Sequence, residues 1–502
     1  MFIPLPNSFR VKDKKLDIEL EKIFDKAISL QNTGKSEEAE ALYKALSGQM
    51  PDSDVILMRL SLIYLEKNDL DKAEEYLIKA IKINPAVICY KVLGEVYSKK
   101  KDYNKAIECF SEALKANSDD IGLIINIGSA YSSNFKLDEA VEYYNRSLKL
   151  DPDNIACHLS LALVYDDMIE LDKATEHALK AISLKPNNAD AMFLLSLIFL
   201  RSGNFADGWK LYESRFYMKK PIKRIKCSKP LWEGSSLKGK TIFIDSESGM
   251  GDCIMAARFI WALNSMGAKV LYRSYQELEQ LFKDSKLPAT IISESEDINL
   301  FEFDNYLSMM SLPGIFNIDE NNMIFKDKYL KSNPEKVKFY KEKYFDNDKF
   351  KIGIVWDCKN FFESDRRRSL PDISTLFPLI KIQGVKFYSL QKGEGEKQLN
   401  NLPDGIDIVD LGRTFNDFSD TAAAIENLDL VISVDTSVGH LAGALGKETL
   451  LMLEYLPCWR WLLNRDDNIW YDKVRLFRQI SAQDWGSVIN RVSEYIKEKI
   501  EN

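Results

Sequence analysis

The sequence predicts a helical repeat solenoid followed by a pair of α/β lobes. Three observations carry that prediction: a period of 33 or 34 residues through roughly the first 220 positions, a change after Pro221 to short β-branched runs separated by helix-length segments, and 45% hydrophobic against 29% charged residues over 502 positions. A chain of this length divides into about three domains at roughly 100–200 residues each, every one able to bury a core. The predicted boundaries are 1–220 for the repeat array, 221–340 for the first lobe and 341–502 for the second, whose terminal helices are expected to cross back.

The repeats stand in columns. Ala39, Ala73, Ala106, Ala140, Ala174 and Gly208 recur at that period, and four residues after each come Tyr43, Leu77, Phe110, Tyr144, Ala178 and Tyr212 on the same helix face. Twelve residues before the first column lie Ala27, Ser61, Gly94, Gly128, Ala162 and Ser196, with Leu30, Tyr64, Tyr97, Tyr131, Tyr165 and Phe199 one turn further along. Small residues recur where two antiparallel helices approach closely, and large ones where the next pair covers them. Each unit is therefore a helix hairpin that needs its neighbours. These columns resemble the tetratricopeptide repeat over about six units, residues 20–220, which implies a concave face for a protein or peptide partner. The tyrosine column reads as core, because a stripe at helical spacing is far more often packing than a ligand site. His158 and His177 fall in the same helices and read as structural or solvated.

Charge and cysteine usage exclude several functions. Lys and Arg total 68 against 76 Asp and Glu, a net charge of −8, so no overall positive field draws in nucleic acid or an anionic membrane. The seven cysteines contain no Cys-x-x-Cys pair, which argues against a disulfide framework or a structural zinc site. The opening MFIPLPNSFRVKDKK lacks the pattern of a secretory signal, and no run of about 18 apolar residues follows. A cytoplasmic protein without a transmembrane segment is expected.

Beyond Pro221, strands are expected at 241–247, 268–275, 289–293, 351–357, 385–391, 406–412, 428–435 and 449–455, and the charged stretch 333–350 is expected to link the lobes. Strands alternating with helical segments indicate parallel sheets, whose ligands sit beyond the strand carboxyl ends. Three loops occupy that position. In SESGMGDCIMAARF, Gly249 and Gly251 allow a tight turn and a close ligand approach, and Asp252 opens a helix either as its cap or as a free carboxylate. In LDLVISVDTSVGHLAGALG, a strand ends at Asp435, then Thr436, Ser437, Gly439 and His440 begin a small-residue helix whose N–H groups suit a diphosphate. In WDCKNFFESDRRRSLP, Arg366, Arg367 and Arg368 match phosphate oxygens, with Lys359 close by in the chain. Trp459, Trp461, Trp470 and Tyr471 read either as a stacking platform or as packing, and Cys253 reads as inert.

GMGD, the VDTSVGHLAGALG element and the tail PCWRWLLNRDDNIWYDKVRLFRQ together resemble the glycosyltransferase family 9 (heptosyltransferase-like) superfamily. LWEG, DRRRSLP and SLQKGEG make the chain similar, more narrowly, to bacterial proteins that fuse tetratricopeptide repeats to such a domain. The resemblance implies a GT-B pair of Rossmann-like lobes, with a nucleotide-sugar donor on the second, an acceptor on the first, and inverting, metal-independent transfer without a cofactor. It places Asp252 where the family keeps its catalytic carboxylate, and Asp435, Thr436 and His440 on its donor-binding element. Ser437 and Gly439 depart from the family's usual Asp-Thr-Gly-x-Ser-His order, so the donor is expected to differ from ADP-heptose. The chemistry agrees with elementary requirements: a base for the incoming hydroxyl and positive charge for the departing diphosphate. A non-catalytic repeat scaffold with a nucleotide- or protein-binding domain is the alternative. A nucleotide-sugar epimerase fits less well, having no evident need of a repeat array.

Overall fold

A computed structural model describes residues 14–358 and 365–501, and the chain divides into two compact units between Lys185 and Pro186. The first unit holds five antiparallel helix pairs: α1 (Lys14–Asn32) with α2 (Ser36–Gln49), α3 (Asp54–Glu66) with α4 (Leu70–Ile83), α5 (Val87–Lys99) with α6 (Tyr103–Leu114), α7 (Ile121–Ser133) with α8 (Leu137–Leu150), and α9 (Ile155–Asp167) with α10 (Leu171–Leu184). Side-chain oxygens of Ser53, Asp69, Asp102, Asp120 and Asn154 accept from exposed N–H groups of the helices that follow them. The small column has a direct cause. A Cβ at Gly94 would stand 2.5 Å from the Phe110 ring, and one at Gly128 would stand 2.8 Å from Tyr144. Small residues face large ones across each hairpin, as the columns require.

The turn between paired helices repeats as well, in a conformation the residue types do not advertise. Gly34, Asn68, Lys101, Phe135 and Ile169 all hold φ between 58° and 78°, the left-handed region that favours glycine. The periodic requirement is backbone geometry, and only the first two of these five positions, Gly34 and Asn68, carry residues suited to it. His158 and His177 sit side by side, their Nδ1 atoms 2.9 Å apart, with His158 Nε2 donating to the Pro152 carbonyl.

The second unit begins with the sixth helix pair, α11 (Ala189–Arg201) and α12 (Phe205–Tyr212), which the period alone would assign to the array. It continues through β1 (Thr241–Asp245), α13 (Met250–Ala256), α14 (Arg258–Ser265), β2 (Lys269–Ser274), α15 (Gln276–Asp284), β3 (Thr290–Ser293), β4 (Asn305–Ser308), α16 (Leu312–Ile315) and α17 (Pro334–Tyr344). The remainder is β5 (Phe350–Val355), α18 (Asp365–Arg368), α19 (Phe377–Ile380), β6 (Val385–Ser389), β7 (Ile408–Asp410), α20 (Phe418–Glu426), β8 (Leu430–Val434), α21 (Ser437–Ala444), β9 (Thr449–Leu453), β10 (Val474–Arg478) and α22 (Trp485–Glu501).

Both sheets are wholly parallel, one ordered β3-β2-β1-β4 and the other β10-β9-β8-β5-β6-β7. The six-stranded order is that of a doubly wound Rossmann-type sheet, whose connections reverse direction between β5 and β8; in the smaller sheet the reversal falls between β1 and β4. Two strands had no expectation from sequence. β4 is four residues of Asn-Tyr-Leu-Ser, too short and polar to signal, and β10 lies within the aromatic tail.

The segment expected as a linker is fastened to the second lobe. Asn333 caps α17, Lys336 pairs with Asp420 at 2.8 Å, and Asn427 Nδ2 donates to the Val337 carbonyl. The return toward the first lobe is made by the aromatic tail rather than by the terminal helix: Arg258 of α14 donates to the Trp470 carbonyl at 2.7 Å, whereas α22 buries Trp485, Val488, Ile489, Val492 and Ile496 in the second lobe's own core. Arg258 is fully buried and also donates to the carbonyl of Met255 and the hydroxyl of Tyr329.

Candidate functional site

The loops after β1 and β8 meet. α13 packs on α21 so closely that a Cβ at Gly251 would stand 2.9 Å from His440 Cδ2 and 3.5 Å from the Ser437 Cα. Gly251, expected to admit a ligand, admits the neighbouring helix. Gly249 caps α13 with φ −62° and has no heavy atom within 4 Å of an added Cβ. Asp252 is therefore not the helix cap. It lies in the first turn with its carboxylate against the Arg460 guanidinium, both side chains largely enclosed at 18% and 12% exposure.

Asp435 directly follows the end of β8 and is buried. Arg368 Nη1 lies 3.3 Å from the Asp435 carbonyl and 3.8 Å from its carboxylate, so the arginine-rich loop after β5 reaches the turn after β8. Arg367 is half-exposed beside it. Lys359 and the side chain of Arg366 lie outside the described residues. The two loops that border the switch point of the larger sheet thus contribute Arg368 and Asp435, and the helix α13 that follows β1 of the smaller sheet contributes Asp252.

His440 does not present a free ring. Nδ1 is 2.8 Å from the Tyr471 hydroxyl, Nε2 is 3.8 Å from Asp435, and Trp461 stacks on it at 5.1 Å. Burial, reinforced by the nearby Arg460, Arg258 and Arg368, lowers its pKa to about 3 despite the opposing Asp435 charge. A neutral imidazole 3.8 Å from Asp435 neither pairs with it as an ion nor hydrogen-bonds to it, and packs beside it from inside the protein. Thr436 precedes α21 and its Oγ1 lies 2.9 Å from Ser433 Oγ, while Ser437 is half-buried in the first turn. Gly439 is dictated by packing, since a Cβ there would approach Leu451 to 2.9 Å.

Burial raises the Asp252 pKa and the Asp435 charge adds to this, while Arg460 and Arg368 pull it down. The contact with Arg460 and the more remote charge of Arg368 thus offset part of the upward push of burial on this carboxylate. Trp459, Trp461, Trp470 and Tyr471 are all buried, which makes them the packing that holds the tail in place. Cys253 is buried and its thiol is pushed up to about 12, which removes thiolate chemistry at ordinary pH.

Arg460 is the residue that reading the sequence missed. The available signal was a cation set directly between two tryptophans, Trp459 and Trp461, since a buried charge needs a partner. Gln391 is another: its Oε1 accepts from the N–H groups of Trp356 and Asp357, tying the loop after β6 to the loop after β5. A cavity of about 690 Å³ opens elsewhere, among Lys447, Glu448, Lys473 and Arg475 at the amino ends of β9 and β10. Ligands of parallel sheets bind at the opposite ends, so its size does not make it the site. Among the described residues, no cluster of three or more His, Cys, Asp or Glu side chains is arranged to hold a metal ion, and no helix is long and apolar enough to cross a membrane.

The matching family models fall within the first unit, whereas one curated relative aligns over more of the chain than that unit holds. Models of the tetratricopeptide repeat match residues 55–87, 87–120 and 124–154, and the chain carries these repeats. Protein FlbA of Caulobacter vibrioides (strain ATCC 19089 / CIP 103742 / CB 15) is 26% identical over 336 residues, 61% of this chain and 54% of FlbA. The chain spans about half the length of that curated relative. Among solved structures, MamA 41-end from Desulfovibrio magneticus RS-1 is 21% identical, with a TM-score of 0.32 over 33% of this chain and 95% of that one. A tetratricopeptide repeat protein from Parabacteroides merdae ATCC 43184 is 16% identical, with a TM-score of 0.38 over 40% of this chain and 81% of that one.

Proposed function

We propose that the chain is a glycosyltransferase of GT-B type that moves a sugar from a nucleoside-diphosphate donor to a protein or glycan acceptor, with the repeats recruiting the acceptor or a partner. The observation that carries the reading is the meeting of Asp252, from the carboxyl end of β1, with Asp435 and Arg368 at the switch point of the second sheet. In this reaction Asp252 takes the proton from the acceptor hydroxyl as that oxygen bonds to the anomeric carbon. The carbon–oxygen bond to the diphosphate breaks, and its electron pair leaves with the nucleoside diphosphate. Attack from the face opposite the leaving group inverts the anomeric centre. Arg368, Arg367 and the N–H groups opening α21 meet the charge on the departing diphosphate, which is why no metal ion is required of this mechanism.

A thermal-shift screen against ADP-, GDP-, UDP-, CMP- and dTDP-sugars identifies the donor, since a ligand that binds the folded state raises the melting temperature. Asp252→Asn should then retain donor affinity and lose turnover by about 10²–10⁴-fold, the usual contribution of general-base catalysis. The scaffold reading is favoured by one feature, the engagement of the Asp252 carboxylate by Arg460. Binding of a nucleotide without turnover in the unaltered protein, or equal loss of affinity and turnover in Asp252→Asn, decides for it.

A further inference from the structure

We propose that Arg460 is the positioning residue of the Asp252 carboxylate, held in register by the helix pair α11–α12. The inference rests on the transferase reading and deepens it at the same site. Arg460 Nη2 engages Oδ1 of Asp252, which orients the carboxylate so that its other oxygen serves the acceptor hydroxyl. The guanidinium is itself fixed: Nη1 donates to Cys458 Sγ at 2.7 Å, its centre lies 4.5 Å over the Trp459 ring, and the Arg460 carbonyl accepts from Trp470 Nε1 at 2.9 Å.

Its loop is seated against the two helices that carry the last repeat-like hairpin. Arg201 of α11 donates to the Pro457 carbonyl at 3.2 Å, and Trp459 meets Trp209 edge-to-face at 5.3 Å and Tyr212 at 6.1 Å. Arg215, just after α12, is fully buried and paired with Glu247 at 2.7 Å, two residues beyond the end of β1. The hairpin therefore grips both the segment bearing Arg460 and the loop leading to Asp252. A guanidinium so restrained loses little freedom on holding a carboxylate, which is how a supporting group keeps a base within the narrow tolerance that transfer demands.

The charged and titratable groups around Asp252 include Arg460, Arg368, Asp435, His440, Tyr212, Tyr275 and Cys253. Arg460 stabilises the ionised carboxylate, so its removal raises the Asp252 pKa. For a base, that moves the acid limb of the kcat–pH profile to higher pH. The test is the full-length chain with the nucleotide-sugars of the screen above, read as nucleotide release. Arg460→Gln should lower kcat by on the order of 10²-fold with little change in donor KM, and move the acid limb upward. Arg460→Lys should return the limb to its original position while recovering only part of kcat.

An unmoved limb with undiminished kcat in Arg460→Gln overturns the proposal. So does a loss confined to donor KM, which would make Arg460 a donor contact. If Arg460→Gln does not fold, Arg460→Lys decides: reduced kcat with an unmoved limb supports the assignment, and full kcat or failure of both variants to fold overturns it. Absence of turnover with every donor in the unaltered protein defeats the transferase reading instead.

Discussion

Gly251→Ala tests the close approach of α13 to α21. The added methyl would stand 2.9 Å from His440 Cδ2, whereas carbon atoms rest at roughly 3.5–4.0 Å, so the helices must part by about 0.6 Å or more. His440 has nowhere to retreat, being stacked on Trp461 and hydrogen-bonded to the buried Tyr471. Overpacking of this kind costs about 1–3 kcal/mol, offset by about 1 kcal/mol from replacing glycine within a helix. The expected net destabilisation is about 1 kcal/mol. The functional effect should be larger in proportion, because Asp252 is the next residue. A misplacement of 1 Å costs on the order of 10²-fold in rate, so half that displacement predicts a loss of roughly 10-fold in turnover.

The assay is the calorimetric transition of the second unit together with nucleotide-sugar turnover, compared with Gly249→Ser. At Gly249 a side chain meets open space, φ is already −62°, and serine is a favoured helix cap, so that variant should match or exceed the original stability. A Gly251→Ala protein with unchanged melting and unchanged turnover would show that the close contact between α13 and α21 does not set the position of Asp252.

The remaining predictions concern pH and the repeat turns. His440 is held near a pKa of about 3 in the folded protein against about 6.5 when unfolded, so the unfolded chain binds more protons between those values. Its contribution to stability is complete above pH 6.5 and is lost as pH falls toward 3, at about 1.4 kcal/mol per pH unit. Between pH 6.5 and 5 that amounts to about 2 kcal/mol; a melting curve for His440→Gln with the same acid sensitivity as the original would contradict it. In the first unit, Lys101 holds φ 64° with its side chain exposed, a conformation costing a non-glycine residue about 1–2 kcal/mol. Lys101→Gly should raise that unit's stability by about 0.5 kcal/mol after the entropy cost of glycine, read as a higher midpoint in urea, and a lower midpoint would refute the strain argument.

The repeat hairpins were legible because their information is local and periodic: a small residue facing a large one repeats five or six times, and each occurrence confirms the others. The turn conformation shared by Lys101, Phe135 and Ile169 was not legible, because hydrogen bonding of the surrounding hairpin imposes it on residues with no preference for it. In the second unit the strand-ending loops could be located from composition, and with them Asp252, Asp435 and Arg368. The glycines were legible as glycines but not in their purpose, since Gly251 and Gly439 make room for His440 and Leu451 rather than for a bound molecule.

Sequence alone determined which segments are helices, which are most of the parallel strands, and which loops leave their carboxyl ends, because periodicity and β-branched runs are properties of neighbours in the chain. Tertiary structure decided that Arg460 reaches Asp252 from 208 positions away, that His440 turns inward, and that the last hairpin packs on the loop carrying Arg460. The physical reason is that a buried charge or ring is defined by its partners, and those partners are brought together by packing between elements that the chain order keeps far apart.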